Sequence, residues 1–453
     1  MRTPRPILPL ALVLAGLGLP PAPAAAADAS GPKLEYETFT LGNGMEIYVL
    51  PDRSLPQVQM ITWYDVGSAH EKKGRTGFAH LFEHLMFKGS AHIPDGLLDV
   101  LLEGAGGYSN AFTSSDMTVY YNTAASNFLE TMFWIEADRL AGLTEKIDQA
   151  KLDNQREVVL NERRQSYENR PYGMSHILLR EALWPDGHPY HWPVIGYQED
   201  LNAASLEDVI GFFDRHYIPA GAVMVVAGDV QAEEVKALAK KYLEWIPGGT
   251  VPAPLYVPTP EPLKGSAALS ATDDVQVPRL YLAYRGPAVF SREEPHIDLA
   301  ARILGGGKSS RLHERLVYQE KIAQDVSASF EGEVLGGTFE IVVTARPGVD
   351  PAELEQKVLQ EIEALGQTPA SLKEMEQARN VRESEFLQQL ESSLWRGIQL
   401  AWYRVQARNA DYLARDLERY REVDAGEVSE AVKKWLPKSA RVTLVIGPKK
   451  EAE

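Results

Sequence analysis

The first half of the chain alternates between strand-like and helix-like patterns of apolar residues. The segment from Leu34 to Leu50 alternates apolar and polar side chains on either side of Asn43-Gly44, which predicts a β-hairpin. Residues 57–66 predict another strand, and the continuous apolar run 222–228 predicts a strand that is buried on both faces. Where apolar residues recur every three or four positions, the pattern predicts helices over residues 128–140, 148–167, 206–216 and 232–242.

The second half repeats this plan in outline. Its pattern predicts a strand at 279–285, helices at 297–304, 351–365 and 371–407, and a strand at 442–447. The last strand of each half follows a similar tripeptide, Tyr-Ile-Pro at 217–219 and Trp-Leu-Pro at 435–437. This similarity predicts an α+β protein of two homologous domains, although ordinary strand patterns can also converge by chance.

A proline-rich segment separates the two halves. Residues 251–262 contain five prolines, which cannot be accommodated inside a helix or a central strand. We therefore predict a domain at 28–250 that carries the candidate chemistry, an extended linker at 251–266, and a second domain at 267–453.

The N-terminus has the composition of a cleavable signal peptide. Arg2 and Arg5 precede the apolar residues 7–19, and small residues follow at 21–27. This pattern predicts a signal peptide over residues 1–27 and a periplasmic or secreted protein. A retained N-terminal anchor is the alternative, but the apolar stretch is too short and too rich in proline to favour a membrane span.

The composition excludes several classes of site and partner. The chain has no cysteine, which rules out disulfides, thiolate catalysis and cysteine-based zinc sites. Its formal net charge of −17 disfavours binding to nucleic acid or to anionic lipid. An acidic surface would suit cationic peptides, although it also simply promotes solubility.

The pentapeptide His80-Leu81-Phe82-Glu83-His84 is the strongest chemical signal. On a helix, residues four apart lie one turn above each other, so both imidazoles project from one face and could chelate zinc. The spacing is the reverse of the His-Glu-x-x-His motif and occurs in zinc hydrolases. Glu83 lies on nearly the same side, where it could act as a general base on water. The alternative is a chance arrangement on a core helix.

A catalytic zinc needs a third protein ligand and an open position. Because the chain lacks cysteine, a carboxylate on a neighbouring helix is the natural candidate, and the predicted helix 148–167 offers Glu157 and Glu162. These residues are five apart, roughly 140° around a helix, so only one can face the metal. From the residues alone the choice stays open. The His₂Glu set favours zinc over manganese or cobalt without proving it.

An ordered series of segments resembles the pitrilysin/insulinase peptidases, especially the branch similar to the mitochondrial processing peptidase. The resemblance spans essentially all of the chain after the leader. The matching segments are Gly77-Phe78-Ala79-His80-Leu81-Phe82-Glu83-His84-Leu85-Met86-Phe87-Lys88-Gly89-Ser90, Gly107–Thr113, Arg156–Glu162, Tyr217-Ile218-Pro219 with Val225–Asp229, and Leu304–Leu312.

The resemblance implies roles for particular residues. It implies that Glu162 is the third ligand of one zinc ion per chain. It also implies the LuxS/metallohydrolase-like peptidase fold, with two homologous domains that each have a mostly antiparallel sheet packed with helices. Such units normally enclose a clamshell chamber. The segment Asn110-Ala111-Phe112-Thr113 resembles the edge strand to which substrate adds as an extra strand; an ordinary strand is the alternative.

The chain departs from the family pattern in two places. Gln155 stands where the family usually carries a glutamate beside the metal site, seven residues before Glu162. Val317 and Gln324 stand where members that complete the site within one chain have an arginine and a tyrosine. Neither can stabilise an oxyanion as that pair would. We therefore expect a homologous partner without zinc ligands to supply the pair, or else a homodimer.

These observations predict a zinc-dependent endopeptidase that acts on short or unfolded peptides. Two alternatives remain open. One is a catalytically silent core or assembly subunit, which the intact His80, Glu83, His84 and Glu162 disfavour. The other is a peptide-maturation protease with one dedicated substrate.

Overall fold

The computed structural model describes residues 32–258 and 261–449. The predicted signal peptide lies outside these residues. The strands of the described residues are Glu37–Thr40 (β1), Glu46–Pro51 (β2), Gln57–Tyr64 (β3), Tyr108–Thr113 (β4), Thr118–Ala125 (β5), Ala222–Gly228 (β6), Ala267–Asp273 (β7), Arg279–Gly286 (β8), Ala323–Glu331 (β9), Gly337–Ala345 (β10) and Val442–Pro448 (β11).

The helices are distributed over both halves. They are Phe78–Leu85 (α1), Leu97–Gly104 (α2), Leu129–Gly142 (α3), Gln149–Arg163 (α4), Ser175–Leu183 (α5), Gln198–Ala203 (α6), Leu206–His216 (α7), Ala232–Tyr242 (α8), Glu294–Gly305 (α9), Pro351–Gln367 (α10), Leu372–Gln389 (α11), Ser393–Gln406 (α12), Leu413–Glu422 (α13) and Ala425–Trp435 (α14). Within the described residues, no helix is long and apolar enough to cross a membrane.

The two halves contain sheets of the same topology, apart from the additional edge strand β1 in the first. The first has the order β1-β2-β6-β3-β5-β4 and the second has the order β7-β11-β8-β10-β9. In each, one parallel pair, β2 with β6 or β7 with β11, adjoins a series of antiparallel pairs. The predicted fold class, two α+β units with mostly antiparallel sheets packed with helices, is confirmed. The exact domain boundaries stay a prediction.

Each sheet is covered on one face by a helix from the other half of the chain. Helix α12 packs on β6 and β3 of the first sheet, and α5 packs on β11 and β8 of the second. The first contact is close enough that a Cβ on Gly397 would lie 2.6 Å from Ile61 Cδ1. In return, α5 contributes Leu179 and Leu183 to an apolar cluster with Leu444. The halves therefore share two apolar layers in addition to their own cores.

The predicted helix over residues 371–407 is two helices. Helix α11 packs against α9 and α13 of its own half, whereas α12 leaves to cover the first sheet. The change of direction falls between Gln389 and Ser393, where Ser392 accepts a hydrogen bond from Trp395 N and so caps α12. Residues 389–393 contain neither proline nor glycine, which is why the sequence pattern did not reveal the break.

Arg419 holds a buried charge cluster in the second half. It donates to Glu294 Oε2 at 2.7 Å and to Asp416 Oδ1 at 3.0 Å, and the side chains of all three are at most 11% exposed. We expect Arg419→Met to lower the free energy of unfolding by about 3–5 kcal/mol, because it removes the guanidinium that bonds both buried carboxylates. Denaturant titration measures the change.

Arg415, on the same helix, provides the matched control. Its side chain is 48% exposed and pairs with Glu418 and Glu422 at the surface. Arg415→Met should therefore cost only about 0–1 kcal/mol. Equal losses of unfolding free energy in the two variants would show that burial does not determine how much the Arg419 cluster contributes to stability.

Candidate metal centre

The helix α1, which carries the His-x-x-Glu-His motif, begins at a specific backbone arrangement. Gly77 has φ of +87°, and a Cβ there would lie 3.0 Å from the Cα of Gly196, so the position requires glycine. The buried carboxylate of Glu71 accepts hydrogen bonds from Gly77 N and Ala79 N, both at 2.8 Å. These bonds satisfy backbone donors that the first helical turn leaves free.

Aromatic packing fixes the rotation of α1 about its axis. Phe82 is fully buried and stacks on Phe212 and Phe213 of α7, with ring centroids 5.9 and 5.6 Å apart. Leu81 and Leu85 are buried with it. The opposite side of the helix, which carries His80, Glu83 and His84, consequently faces α4 and β4.

Helix α4 is anchored by two arginines to the segment 195–204. Arg156 donates to Leu201 O and Ala204 O, and Arg163 donates to Gly196 O, each at 2.8 Å. Gly196 also contacts the start of α1. One segment therefore fixes both helices of the centre relative to each other. After Arg163, α4 continues as a π-helical turn, Arg164–Glu168.

The donor atoms of His80, His84 and Glu162 converge. The two Nε2 atoms are 3.3 Å apart, and Glu162 Oε2 lies 3.6 Å from His80 Nε2 and 3.3 Å from His84 Nε2. Zinc bonds of about 2.0–2.1 Å in a tetrahedron place neighbouring ligand atoms about 3.3–3.4 Å apart. The spacing and the donor types fit zinc with three protein ligands. In the part of the chain that the structure describes, this is the one such cluster of His, Cys, Asp and Glu.

The surroundings favour the protonation states that a metal requires. The His80 side chain is 11% exposed, and its burial lowers its pKa, which keeps the imidazole neutral. The hydrogen bond with His84 lowers the pKa of Glu162 and keeps it ionised. Glu157, the other candidate on α4, is exposed and is not part of the cluster.

Glu83 lies beside the cluster without belonging to it. Its Oε2 accepts a hydrogen bond from Thr113 Oγ1 at 2.5 Å, which ties α1 to the end of β4. Burial raises the pKa of Glu83, bringing it closer to the neutral range where a general base is effective. Of the predicted substrate-binding residues, Thr113 is thus brought to the centre.

The other predicted substrate-binding residues lie along β4, at the edge of the first sheet. Asn110 is exposed, and its Oδ1 accepts a hydrogen bond from Ala111 N at 2.8 Å. That amide therefore points away from β5, towards the open edge. Phe112 packs instead against the apolar cluster that includes residues of α12.

At two of the positions that depart from the family pattern, the glutamine side chain is hydrogen-bonded to a residue outside the metal cluster. Gln155 is buried on α4 and donates to Asn154 Oδ1. Gln324 donates to Ala345 O, across to the neighbouring strand. Arg315, which lies close to Val317 in sequence but not at the family's arginine position, pairs with Glu320 and Glu361 at 2.9 and 2.7 Å. These contacts give Arg315 a role in the second half itself.

Two parts of the scaffold were not predicted from the sequence. Glu71 lies in an irregular segment six residues before Gly77, and neither periodicity nor a capping motif marks it. The segment 195–204 lies far from both helices in sequence, and only its backbone carbonyl groups contact the two arginines. An acidic residue shortly before the Gly-Phe-Ala-His start is the one sequence signal that could have indicated Glu71.

Comparison with known proteins places the chain in a family. Residues 49–187 match the model described as Insulinase (Peptidase family M16), and residues 203–382 match the Peptidase M16 inactive domain. The chain is 29% identical over 363 residues to the zinc protease PqqE of Helicobacter pylori, covering 79% of this chain and 81% of that protein. It is 27% identical over 265 residues to the mitochondrial-processing peptidase subunit beta of Blastocladiella emersonii, covering 58% and 56%.

The fold agrees with these matches. The crystal structure of a protease from Helicobacter pylori superimposes with a TM-score of 0.85 at 25% identity, covering 92% of this chain and all of that one. The N-terminal match contains the convergent His80, His84 and Glu162, and the C-terminal match contains no such cluster among its described residues. This chain is a member of the insulinase family of peptidases, peptidase family M16.

Proposed function

We propose that the chain is a zinc-dependent endopeptidase that cleaves short or unfolded peptides. The observation that carries the proposal is the convergence of three metal-ligand atoms within 3.3–3.6 Å of one another, beside a carboxylate that is not a ligand. His80, His84 and Glu162 would hold the ion. Zinc bound there would supply a Lewis acid that acidifies water and polarises a peptide carbonyl.

Glu83 is the general base of this proposal. Thr113 donates to Oε2, so Oε1 is the oxygen that can take a proton from the attacking water. The same carboxyl group can then pass the proton to the nitrogen of the leaving amine. Thr113 limits the rotation of the carboxylate and so keeps Oε1 directed to the same place.

The free edge of β4 is the proposed binding strand for substrate. An extended peptide can pair with the outward-facing backbone groups of residues such as Ala111, which accommodates many sequences because the pairing uses the main chain. Ala111 N donates a hydrogen bond to Asn110 Oδ1. A carbonyl oxygen of the substrate could replace Asn110 Oδ1 as the acceptor. Asn110, Ala111 and Thr113 would then contact the peptide close to Glu83, with Phe112 supporting the strand from its other face.

The oxyanion-stabilising pair is proposed to come from a second subunit. Val317 and Gln324 offer no charged or phenolic donor, and Arg315 is held by two carboxylates. A homologous chain without zinc ligands could supply the arginine and tyrosine across an enclosed chamber, and a homodimer is the other arrangement. The existence of a relative named as a subunit of a processing peptidase supports this proposal.

The predicted leader at residues 1–27 supports a periplasmic or secreted location. Two other functions stay possible within the family. A silent assembly subunit is favoured by the missing arginine and tyrosine but disfavoured by the complete ligand set. A protease dedicated to the maturation of one peptide would use the same centre and would differ only in substrate range.

Cleavage of a mixed peptide library by the purified chain, residues 28–453, tests the proposal. We expect one zinc ion per chain and little turnover by the chain alone, because the oxyanion-stabilising pair is missing. Addition of a homologous subunit that has the pair should bring turnover, and a chelator should abolish it.

Two results would change this conclusion. Rapid, chelator-sensitive turnover by the chain alone would refute the split site while keeping the peptidase. Failure to bind zinc, or failure to cleave in every assembly, would contradict the peptidase itself and favour the silent subunit.

A further inference from the structure

The β4–β5 hairpin of the first half meets the topologically equivalent β9–β10 hairpin of the second half at their turns. These turns, residues 114–117 and 332–336, form what we call the hairpin contact. The first turn directly follows Thr113, whose side chain bonds Glu83. The second half of the chain therefore reaches to within a few residues of the candidate centre.

Asp116 is the middle of the hairpin contact. Its Oδ1 accepts a hydrogen bond from the hydroxyl of Tyr190 at 2.6 Å, and its Oδ2 accepts one from Val334 N at 3.0 Å. The same hydroxyl accepts a hydrogen bond from Leu335 N at 2.8 Å. The Asp116 carboxyl group thus links the β4–β5 turn to the backbone of the second half in two ways, directly through Val334 N and indirectly through the Tyr190 hydroxyl.

A second set of bonds lies beside it. Ser115 Oγ donates to Glu333 Oε1 at 2.6 Å and accepts from Arg180 Nη2 at 2.9 Å. Arg180 is also 3.4 Å from Glu333, and the two side chains are 10% and 11% exposed. Arg180 belongs to α5, the helix that packs on the second sheet. The ion pair therefore adds to an interface that already joins the halves.

The opposite side of the β4–β5 turn contacts the segment that leads to α1. Ser68 N donates to Ser114 O at 3.1 Å, and Ala69 N donates to Ser115 O at 2.8 Å. Gly67 lies so close that a Cβ there would be 2.3 Å from Ser114 O. Four residues after Gly67, Glu71 caps α1. The turn is therefore held between the second half of the chain and the start of the metal-binding helix.

We propose that Asp116 and Glu333 are positioning residues, through which the second half of the chain holds the edge strand β4 in place for peptide binding. Strand β4 has β5 on one side and an open edge on the other, so its turn is a point at which the second half of the chain can fix it, in addition to its contacts with α1 and α2. This inference rests on the proposed peptidase function.

The charges of the contact suggest a conservative variant. Among the described residues, Glu333 forms an ion pair with Arg180, whereas Asp116 forms none. Burial and the nearby Glu333 raise the pKa of Asp116 to about 7, so this position accommodates a side chain that is partly neutral at neutral pH. Asn at this position would keep an acceptor for Val334 N and gain a donor towards the Tyr190 hydroxyl.

Steady-state kinetics with two substrates test the proposal, in whichever assembly cleaves peptides. One substrate is an extended peptide long enough to pair along β4, and the other is a short one that cannot. Asp116→Ala and Glu333→Ala should raise KM for the extended peptide by about tenfold or more, which is the size expected when a buried hydrogen bond is lost and its partner is left unpaired. KM for the short substrate and the zinc content should not change. Asp116→Asn should restore the wild-type value.

Val334→Ala is the matched control, because Val334 takes part through its backbone N–H and its side chain is exposed. It should behave as wild type. Equal changes for short and extended substrates, or a wild-type KM in both alanine variants, would overturn the positioning role.

Hydrogen exchange separates this proposal from the proposed function. In Asp116→Ala, amides of β4 that pair with β5 should exchange faster than in the wild type and in Val334→Ala. Unchanged exchange would overturn the claim that the contact holds the strand. If the wild type cleaves no peptide in any assembly, both the proposed peptidase function and the role of the contact in peptide binding are overturned. The hydrogen-exchange result would still decide whether the contact holds β4 in place.

Discussion

Replacing Glu83 by glutamine should leave the protein folded and zinc-loaded but lower peptide turnover by about 10²–10⁴-fold. The amide has nearly the same shape and can still accept a hydrogen bond from Thr113, so the structure of the centre should persist. It cannot accept a proton from water at neutral pH, and it removes the one carboxylate beside the cluster that is not a ligand. Measurements of kcat, zinc content and thermal stability on the same preparation separate these effects.

Thr113→Val provides a graded comparison. It removes the hydrogen bond to Glu83 Oε2 but keeps the base and a β-branched side chain in the strand. We expect turnover to fall by about tenfold, which corresponds to one hydrogen bond that orients a charged group.

A Glu83→Gln variant that keeps more than a tenth of wild-type turnover would show that another group takes the proton.

Replacing Glu162 by glutamine should cost more zinc affinity than the roughly 10–100-fold that loss of a supporting residue costs. Glu162 contributes a ligand atom 3.3 Å from His84 Nε2, and its carboxylate is the one negative charge in the ligand set. The neutral amide is a weaker ligand for zinc. Competition with a chromogenic chelator measures the affinity, and peptidase activity should fall in parallel at limiting zinc.

Glu157→Gln is the control on the same helix. Glu157 is exposed and lies outside the cluster, so its replacement should leave zinc affinity and turnover unchanged. Loss of zinc in both variants would indicate that charge on α4, rather than direct ligation, governs the affinity.

Individual helices and strands could be predicted from the sequence because they depend mainly on residues close together in the chain. The helix 206–216 and the strand 222–228 were predicted with the bounds that the structure shows, because each has a clear apolar period and a distinct end. The spacing of His80 and His84 likewise places both rings on one face of any helix. These predictions needed no knowledge of tertiary structure.

Long-range features were not accessible in the same way. The choice between Glu157 and Glu162 depends on how α4 is rotated, and that rotation is set by Arg156 and Arg163 bonding a distant segment. The family resemblance favoured Glu162, whereas the periodicity of α4 alone did not decide it. The division of residues 371–407 into two helices depends on a sheet in the other half, which no local pattern records.

The exchange of α5 and α12 between the halves also affects the synthesis of the chain. Strand β6 completes the first sheet at Gly228, but α12, which covers the face containing Ile61 and Val225, begins at Ser393, about 165 residues later. At typical rates of translation this interval lasts on the order of ten to thirty seconds. If the first sheet folds during that time, its apolar face stays uncovered. Such a face favours aggregation until the second half emerges, unless a chaperone binds it.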